Sequence, residues 1–552
     1  MRTNQRLMLE FDPLVIESLA MPKIFILTLL LVAFSNPTVA QSVDAAAQTV
    51  KIALAQEPPQ LNSMTATDQV SIFVLGHVME GLTRYDRRGN LAPGVAERWD
   101  LTEDSATFWL RQDAKWSNGD PVTAHDFVFA WRNVVDPKTA SQYAFILYPV
   151  KNAEAINQGN KPLTDLGIEA IDDFTLKVTL ERPTGYFLKL TAFVTTFPVH
   201  EAFYRATGSA YAADSKDILY NGAFTISDWV HSASLKMEKN PNYWNQEAIS
   251  LEVIDAEYIT ADTRARLNLF IDEKIAYTQL DGETYKDALK NQFRIKKFVT
   301  GSVYFLEYNY RPERITRNKK LRQAIQAVFD ADEFVNKVLQ TPGNLPGASL
   351  FPSWIMGVNK PFRQEYPAVV TRPDLAKAKQ LLQAAKAELG LEDIPPLILL
   401  VSDSPTATKQ AEYMQGMLKT KLDLDLKIDV QTFKQRLAKM TTGDFDIVGA
   451  GWGPDFDDIM TFGDLFASWN LNNRGRYHNP EYDRLVRKAM NSNDPEVRMA
   501  AMAGLQTIVH EDAIILPMYE QGVIYLQHPK IKGMRRTVVG SDPDFTYARI
   551  VP

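Results

Sequence analysis

The chain has 552 residues, of which 45% are hydrophobic and 23% are charged, as expected for a globular protein of about three domains and not for a disordered chain. Sixty basic and 67 acidic residues give a net charge of −7, which disfavours a nucleic-acid-binding protein because such proteins present basic surfaces to phosphates. The chain contains no cysteine, which excludes disulfides, cysteine-ligated metals, a cysteine nucleophile and a lipid-modified N-terminal cysteine.

Residues 24–34 form the only long uncharged apolar run in the sequence. As a helix this run spans ~16 Å, which is too short to cross ~30 Å of hydrocarbon. Lys23 precedes it and small residues ending at Ala40 follow it, an arrangement typical of a secretory signal peptide. We therefore predict that residues 1–40 are an N-terminal extension plus a signal peptide, with the start at Met21 and cleavage near Ala40. The mature protein is then expected in a Gram-negative periplasm, without a membrane anchor.

Apolar periodicity predicts the elements of the first half of the mature chain. Alternating residues indicate a strand at 48–55, and helical spacing indicates a helix at 70–80. The pattern further predicts a turn at 117–121, a helix that begins near Asp126, and hairpins at 168–182 and 221–238.

In the second half, strands alternate with helices, which predicts an α/β domain. Helical spacing extends over 318–339 and over 373–389, and Gly390 is well placed to end the second of these helices. Strands are predicted at 397–401, 424–430, 444–451 and 514–519, and two further helices between 479 and 510.

The sequence lacks the common catalytic and metal-binding motifs. Its seven histidines include no H-E-x-x-H pair, and neither G-x-S-x-G nor a phosphate-binding G-x-x-x-x-G-K-[ST] occurs. The glycine-rich run at 449–453 contains the bulky Trp452, which does not suit a dinucleotide loop. The acidic residues that follow it do not fit a calcium-binding EF-hand, and their use as a catalytic pair stays open: Asp455, Asp457, Asp458 and Asp464. No metal and no cofactor is predicted.

Four stretches, at 91–127, 221–244, 321–337 and 451–466, together resemble the family 5 extracellular solute-binding proteins. This family comprises the oligopeptide- and dipeptide-binding components of ABC importers. The resemblance extends in order from about residue 48 to the C-terminus.

The resemblance implies an α/β fold in the form of a two-lobed clamp, of the class II or cluster C type, with an additional small domain. Lobe I is expected to comprise 41–80, 201–301 and 521–552, the additional domain 81–200, and lobe II 302–520. It also implies a non-enzymatic, monomeric protein that captures an extended peptide between its lobes and delivers it to an inner-membrane ABC permease.

In this family, an aspartate a few residues after a Gly-Trp pair binds the peptide's α-amino group, and the matching residue here is Asp455. A buried ammonium needs such a partner because an unpaired charge in a closed cleft is costly. The alternative is that Asp455 only caps a turn. Gly451 and Gly453 are expected to leave backbone groups within reach of the ligand, or else to serve a tight loop.

The same resemblance suggests aromatic residues for the ligand pocket, although each could simply fill the core. These residues are Trp452, Phe433, Tyr143, Tyr304 and Phe305.

The chain departs from the family where the best-known members bind the peptide's carboxylate. Gly449 stands in place of an arginine, and a histidine used for longer ligands would align near Ala407. The chain departs from the family in another respect at Thr67, where an acidic residue is usual. We therefore expect binding to tolerate an amidated C-terminus, with Lys337 or Arg436 as the more distant cations that could take over the role. Other ligands stay open, namely a murein peptide, an opine, an oligosaccharide or a metal complex, as does a secreted hydrolase.

Overall fold

The computed structural model describes residues 41–552. The signal peptide predicted within residues 1–40 lies outside this part of the chain. No helix of residues 41–552 combines the length and the apolar character that crossing a bilayer requires.

A five-stranded sheet is formed by the beginning of the described chain and by residues near 224–259. Thr49–Leu54 alternates between partly exposed and buried side chains, as predicted for 48–55, and it pairs in parallel with Val253–Ile259. The hairpin predicted at 221–238 is confirmed. In spatial order the strands are Val43–Asp44, Thr49–Leu54, Val253–Ile259, Ser234–Lys239 and Phe224–Val230.

Residues 96–179 contribute the strands of a four-stranded antiparallel sheet. Its strands in spatial order are Ala96–Leu101, Ser105–Leu110, Thr175–Thr179 and Ile168–Asp172. The last two form the hairpin predicted at 168–182. Helix Ala124–Val135 packs on this sheet, and it begins with a capping box between Thr123 and Asp126, which stabilises its first turn.

A seven-stranded sheet contains the remaining long strands. The strand predicted at 514–519 is longer than expected, because it continues through Gln527 and pairs with the equally long Lys296–Tyr308. In spatial order the strands are Tyr277–Leu280, Ile515–Gln527, Lys296–Tyr308, Ile447–Trp452, Leu397–Ser402 and Leu426–Gln431, with Leu345–Pro346 at the side of Ile515–Gln527.

The pairing of the two long strands is interrupted near residue 301. Register shifts occur between Val299 and Val303, and Gly301 has a φ of +76°, with Trp354 only 2.6 Å from the position of a Cβ. Only glycine fits there without strain. The predicted lobe boundaries at 301/302 and 520/521 fall beside this break, and the division into lobes stays a prediction.

The helices predicted at 70–80, from Asp126, at 373–389 and between 479 and 510 are present, whereas four helices of eight or more residues were not predicted: Thr263–Ile271, Gly282–Lys290, Pro405–Leu422 and Phe433–Thr442. The pattern over 318–339 does not form one helix, because Phe329 is extended and Asp330 caps a new helical segment. Gly390 ends its helix as predicted. The long helices are Gln69–Val78, Ala124–Val135, Thr263–Ile271, Gly282–Lys290, Lys319–Val328, Leu375–Leu389, Pro405–Leu422, Phe433–Thr442, Pro480–Met490 and Pro495–Glu511.

Candidate functional site

Two adjoining cavities are lined by residues of the seven-stranded sheet together with residues of other elements. The first, the Asp455 chamber, has a volume of about 240 Å³ and is lined among others by Tyr143, Trp452 and Asp455. The second, the Tyr519 chamber, has a volume of about 280 Å³ and is lined among others by Gln410 and Tyr519. The two chambers share the wall residues Gln56, Tyr304, Phe305, Phe433, Arg436, Ala450 and Gly451.

All eight residues predicted for the ligand pocket line one or both chambers. Asp455, Trp452, Gly453 and Tyr143 line the Asp455 chamber. Gly451, Phe433, Tyr304 and Phe305 line both chambers. The structure thus brings together residues from position 143 to position 455, and their part in binding a ligand stays a prediction.

Asp455 is buried at the loop that follows strand Ile447–Trp452, with 5% of its surface exposed. The Tyr143 hydroxyl donates a hydrogen bond of 2.8 Å to its Oδ1 atom. Its own backbone N–H donates to the Thr461 hydroxyl at 3.0 Å. Tyr143 is the only hydrogen-bond donor to this carboxylate among residues 41–552, so Asp455 does not cap a turn.

No cation among residues 41–552 lowers the pKa of the Asp455 carboxyl. Burial raises the pKa of this carboxyl to about 8, against the smaller opposing effect of the Tyr143 hydrogen bond. Burial also raises the pKa of Asp464, and the neighbouring Asp455 adds to this effect. A cation that entered the chamber would favour the ionised form of Asp455.

Close packing explains the glycine at position 451. A Cβ atom there would lie 2.9 Å from the ring of Tyr304, which is stacked on Tyr519 with ring centroids 4.7 Å apart. Trp452 follows, and its Nε1 donates to the Thr461 carbonyl at 2.7 Å. Glycine therefore lets the Tyr304 ring lie against the strand that carries the chamber wall.

The pocket aromatics differ in how far their rings are available. Phe305 is only 3% exposed and its ring packs edge-on to Phe466 at 6.1 Å, so it offers a ligand little surface. Tyr143 is 1% exposed and contributes its hydroxyl group. The rings of Phe433, Tyr304 and Trp452 are partly exposed and form the accessible walls.

Several polar residues of the Asp455 chamber were not predicted. Arg474 is buried and donates to Gln142 at 3.0 Å and to Thr67 at 3.2 Å. Glu307 accepts the Gly475 N–H at 2.6 Å, and burial raises its pKa to about 7. Neither residue belongs to a motif, and Arg474 contacts partners more than 300 positions away in sequence, so local patterns carry no signal for them.

The family positions at which this sequence departs from the pattern lie around the same cavities. Gly449 and Ala407 line the Tyr519 chamber, and Thr67 lines the Asp455 chamber. Lys337, the other possible distant cation, is exposed, forms an ion pair with Glu333 at 3.8 Å and lines neither chamber.

The acidic residues after Asp455 have structural partners. Asp457 pairs with Lys189 at 3.0 Å, and Asp458 pairs with Arg498 and accepts the Met460 N–H. Among residues 41–552, no group of three metal-ligating side chains is suited to hold a metal ion. A larger cavity of about 750 Å³ beside Phe293 and Tyr525 contains none of the predicted residues.

Similarity to known proteins extends over most of the chain. The family model described as bacterial extracellular solute-binding proteins, family 5, middle part, matches residues 90–474. The dipeptide-binding protein DppE of Bacillus subtilis is 31% identical over 88% of this chain and 89% of its own length. Peptide-bound OppA of Listeria monocytogenes is 32% identical, with a TM-score of 0.86 over 92% of this chain and 99% of that one. These similarities confirm the predicted α/β clamp fold.

Two structures of the murein tripeptide-binding protein MppA of Escherichia coli differ in how similar they are to this chain. One of its structures matches with a TM-score of 0.82 at 28% identity, over 91% of this chain and 98% of that one. Its unliganded open form gives only 0.60 at 29% identity, over 93% and 99%. The conformation described here is therefore more similar to that of peptide-bound Listeria OppA than to that of the open form of MppA.

Proposed function

Because the chain belongs to the family 5 bacterial extracellular solute-binding proteins, we propose that it is the substrate-binding component of a peptide ABC importer. In this role it captures extended oligopeptides in the two chambers and delivers them to an inner-membrane permease from the periplasm. It acts without catalysis, and its ligand contacts are the eight predicted residues. The similar proteins DppE and MppA bind dipeptides and murein tripeptide, and OppA is bound to a peptide, which favours a peptide over an opine, an oligosaccharide or a metal complex.

The observation that carries the proposal is the buried Asp455 carboxylate at the chamber wall. Its hydrogen bond comes from the neutral Tyr143 hydroxyl, and no cation contributes to its pKa shift. A peptide's α-ammonium group would supply both the missing charge and additional hydrogen-bond donors. This chemistry selects a ligand with a free amino terminus.

An open backbone edge supports binding of the rest of the peptide. Strand Ile447–Trp452 pairs with Lys296–Tyr308 along its length, but its pairing with Leu397–Ser402 ends at Val448. Residues 449–452 therefore have no strand neighbour on that side among residues 41–552. An extended peptide can add there as a further strand, with affinity from backbone hydrogen bonds that do not depend on side chains.

Native mass spectrometry of the purified chain, followed by calorimetry with the peptides it carries, tests this function. We expect co-purified peptides, and we expect acetylation of the α-amino group to weaken binding strongly. Co-purification of sugars alone, or equal affinity for acetylated and free peptides, would contradict the proposal. Cleavage of bound peptides during incubation would instead indicate a hydrolase.

A further inference from the structure

Arg436 occupies the wall between the two chambers. It lies in the first turn of helix Phe433–Thr442, and its side chain lines both cavities. Its Nη1 donates to the Gly449 carbonyl at 2.5 Å, and its guanidinium lies 5.3 Å from the ring centroid of Phe433. These contacts hold the guanidinium at the first residue of the open edge 449–452.

This guanidinium has no anionic partner within the described part of the chain. The acidic residues of the neighbouring strands are already paired, Asp429 with Lys439 and Asp446 with Arg314. The Nε atom of Arg436 is enclosed and makes no hydrogen bond. An arginine has five N–H donors, so most of its binding capacity is unused.

The other acidic group near Arg436 does not neutralise it. Glu307 influences Arg436 only at longer range, and the cation with the largest effect on Glu307 is Arg474. Burial, followed by repulsion from Arg474, lowers the pKa of Arg436 to about 10, which leaves it charged at neutral pH. Arg474 itself is already hydrogen-bonded to Gln142 and Thr67.

We infer that Arg436 binds the C-terminal carboxylate of a short peptide whose amino terminus lies at Asp455. The inference rests on the proposed function and adds a limit on the ligand's length. Gly449, which Arg436 contacts, lies six residues before Asp455, and six residues span at most ~20 Å. A peptide held at both ends then has on the order of two to six residues, since a strand extends ~3.3 Å per residue.

The position of Arg436 reverses the expectation drawn from Gly449. The arginine that other family members have at position 449 is missing, but Arg436 from the adjacent helix donates a hydrogen bond to the backbone carbonyl of Gly449. A guanidinium binds a carboxylate through two parallel hydrogen bonds, and an amide cannot replace that partner. We therefore expect binding to discriminate against amidated peptides.

Retention of tripeptide pools on the full chain tests the inference whatever side chains the chain prefers. The pools are tripeptides randomised at all three positions, one pool as free acids and one as C-terminal amides, with retained peptide quantified by mass spectrometry. We expect the wild type to favour free acids at least ~30-fold, or ~2 kcal/mol. Arg436→Gln should reduce this preference to threefold or less, and Arg436→Lys should retain part of it.

Lys434→Gln is the matched control, because Lys434 is exposed on the same helix and lines neither chamber. It should keep the full preference for free acids. Circular dichroism and thermal unfolding establish that each variant is folded; if Arg436→Gln does not fold, the comparison of pools on the wild type and on Arg436→Lys decides the question.

Three outcomes would refute the role of Arg436 and the proposed function separately. Equal retention of acids and amides by the wild type, together with discrimination against N-acetylated peptides, refutes the role of Arg436 and leaves the proposed function intact. Retention of no peptide in any pool refutes the short ligand that the role of Arg436 requires, and it also refutes the proposed function if the purified chain carries no peptide. Amides retained only when they contain Asp or Glu, with this selectivity lost in Arg436→Gln, would assign Arg436 to an acidic side chain and refute the carboxyl-terminal assignment.

Discussion

Replacing Asp455 with asparagine is the most direct perturbation of the site. Asn has nearly the same shape and can still accept the Tyr143 hydrogen bond, but it cannot carry the charge that an ammonium group needs. Removing one partner of a buried ion pair typically costs ~3–5 kcal/mol. That cost is not fully expressed at neutral pH, because the free protein must first ionise Asp455.

The pKa of Asp455 sets the size of this correction. With a pKa of about 8, ionising the carboxyl at pH 7 costs ~1.4 kcal/mol, since one pKa unit corresponds to ~1.36 kcal/mol. The net loss for Asp455→Asn at pH 7 is then ~1.6–3.6 kcal/mol, or roughly 15- to 400-fold in Kd. Binding to the wild type should also release ~0.8 proton net at pH 7, because Asp455 is ~0.9 protonated before the ligand binds and the peptide's amino group, with a pKa of ~8, takes up ~0.1 proton.

Calorimetry in buffers of different ionisation enthalpy measures both quantities. Wild-type affinity should rise from pH 6 to about 8 as Asp455 ionises more easily, and fall above it as the peptide's amino group, with a pKa of ~8, loses its proton. Asp457→Asn is the control, since Asp457 is exposed, lies two positions away and lines neither chamber. Equal affinities of wild type and Asp455→Asn, or binding without proton release, would refute the ammonium-binding role.

Three further outcomes are expected. Gly451→Val should abolish peptide binding, because a Cβ atom at position 451 would lie 2.9 Å from the Tyr304 ring and displace it. Gly449→Ala should be tolerated, because the atom nearest to its Cβ, in Val401, is 3.5 Å away. Similar peptide affinities of the two variants in calorimetry would contradict this. The ligand-free chain should open, so small-angle scattering should show a smaller radius of gyration and Trp452 emission should change when peptide is added; an unchanged radius with a tightly bound peptide would argue against closure. The unfolding free energy of the ligand-free wild type should fall between pH 5 and 8 relative to that of Asp455→Asn, by up to ~1.4 kcal/mol per pH unit. The reason is that the raised pKa of Asp455 makes the folded state bind more protons than the unfolded state. If urea unfolding shows the same pH dependence of the unfolding free energy for both proteins, the pKa of Asp455 is not raised.

Local periodicity was sufficient to predict most elements of the fold. The helix Leu375–Leu389 and the hairpin of Phe224–Val230 with Ser234–Lys239 depend on contacts between residues close in sequence. The strand predicted at 514–519 was too short because Glu520, Gln521 and Gly522 break the apolar pattern. That part of the strand is stabilised by tertiary contacts, such as the pair of buried Glu520 with Arg363, which no local window contains.

The site was predictable only where a motif marked it. Trp452 ends strand Ile447–Trp452 and Asp455 follows it; both belong to the stretch 451–466 that carries the family resemblance, and both line the Asp455 chamber. The sequence indicates Arg436 only as a distant cation, since its proximity to Gly449 depends on how its helix packs against the sheet. Arg474 had no sequence signal at all, because its role arises from hydrogen bonds to Gln142 and Thr67.

The contacts that shape the Asp455 chamber also connect distant parts of the chain, and this links binding to closure. Tyr143 reaches Asp455 across 312 positions, and Arg474 reaches Gln142 across 332. If the clamp opens between these segments, Asp455 loses the hydrogen bond from Tyr143, so its affinity for an ammonium group differs between the open and closed states. A ligand shifts a conformational equilibrium only through such a difference in affinity. The ammonium pair therefore supplies free energy that favours closure, and a peptide without a free amino group should leave a larger fraction of the protein open even where its backbone contacts still permit binding.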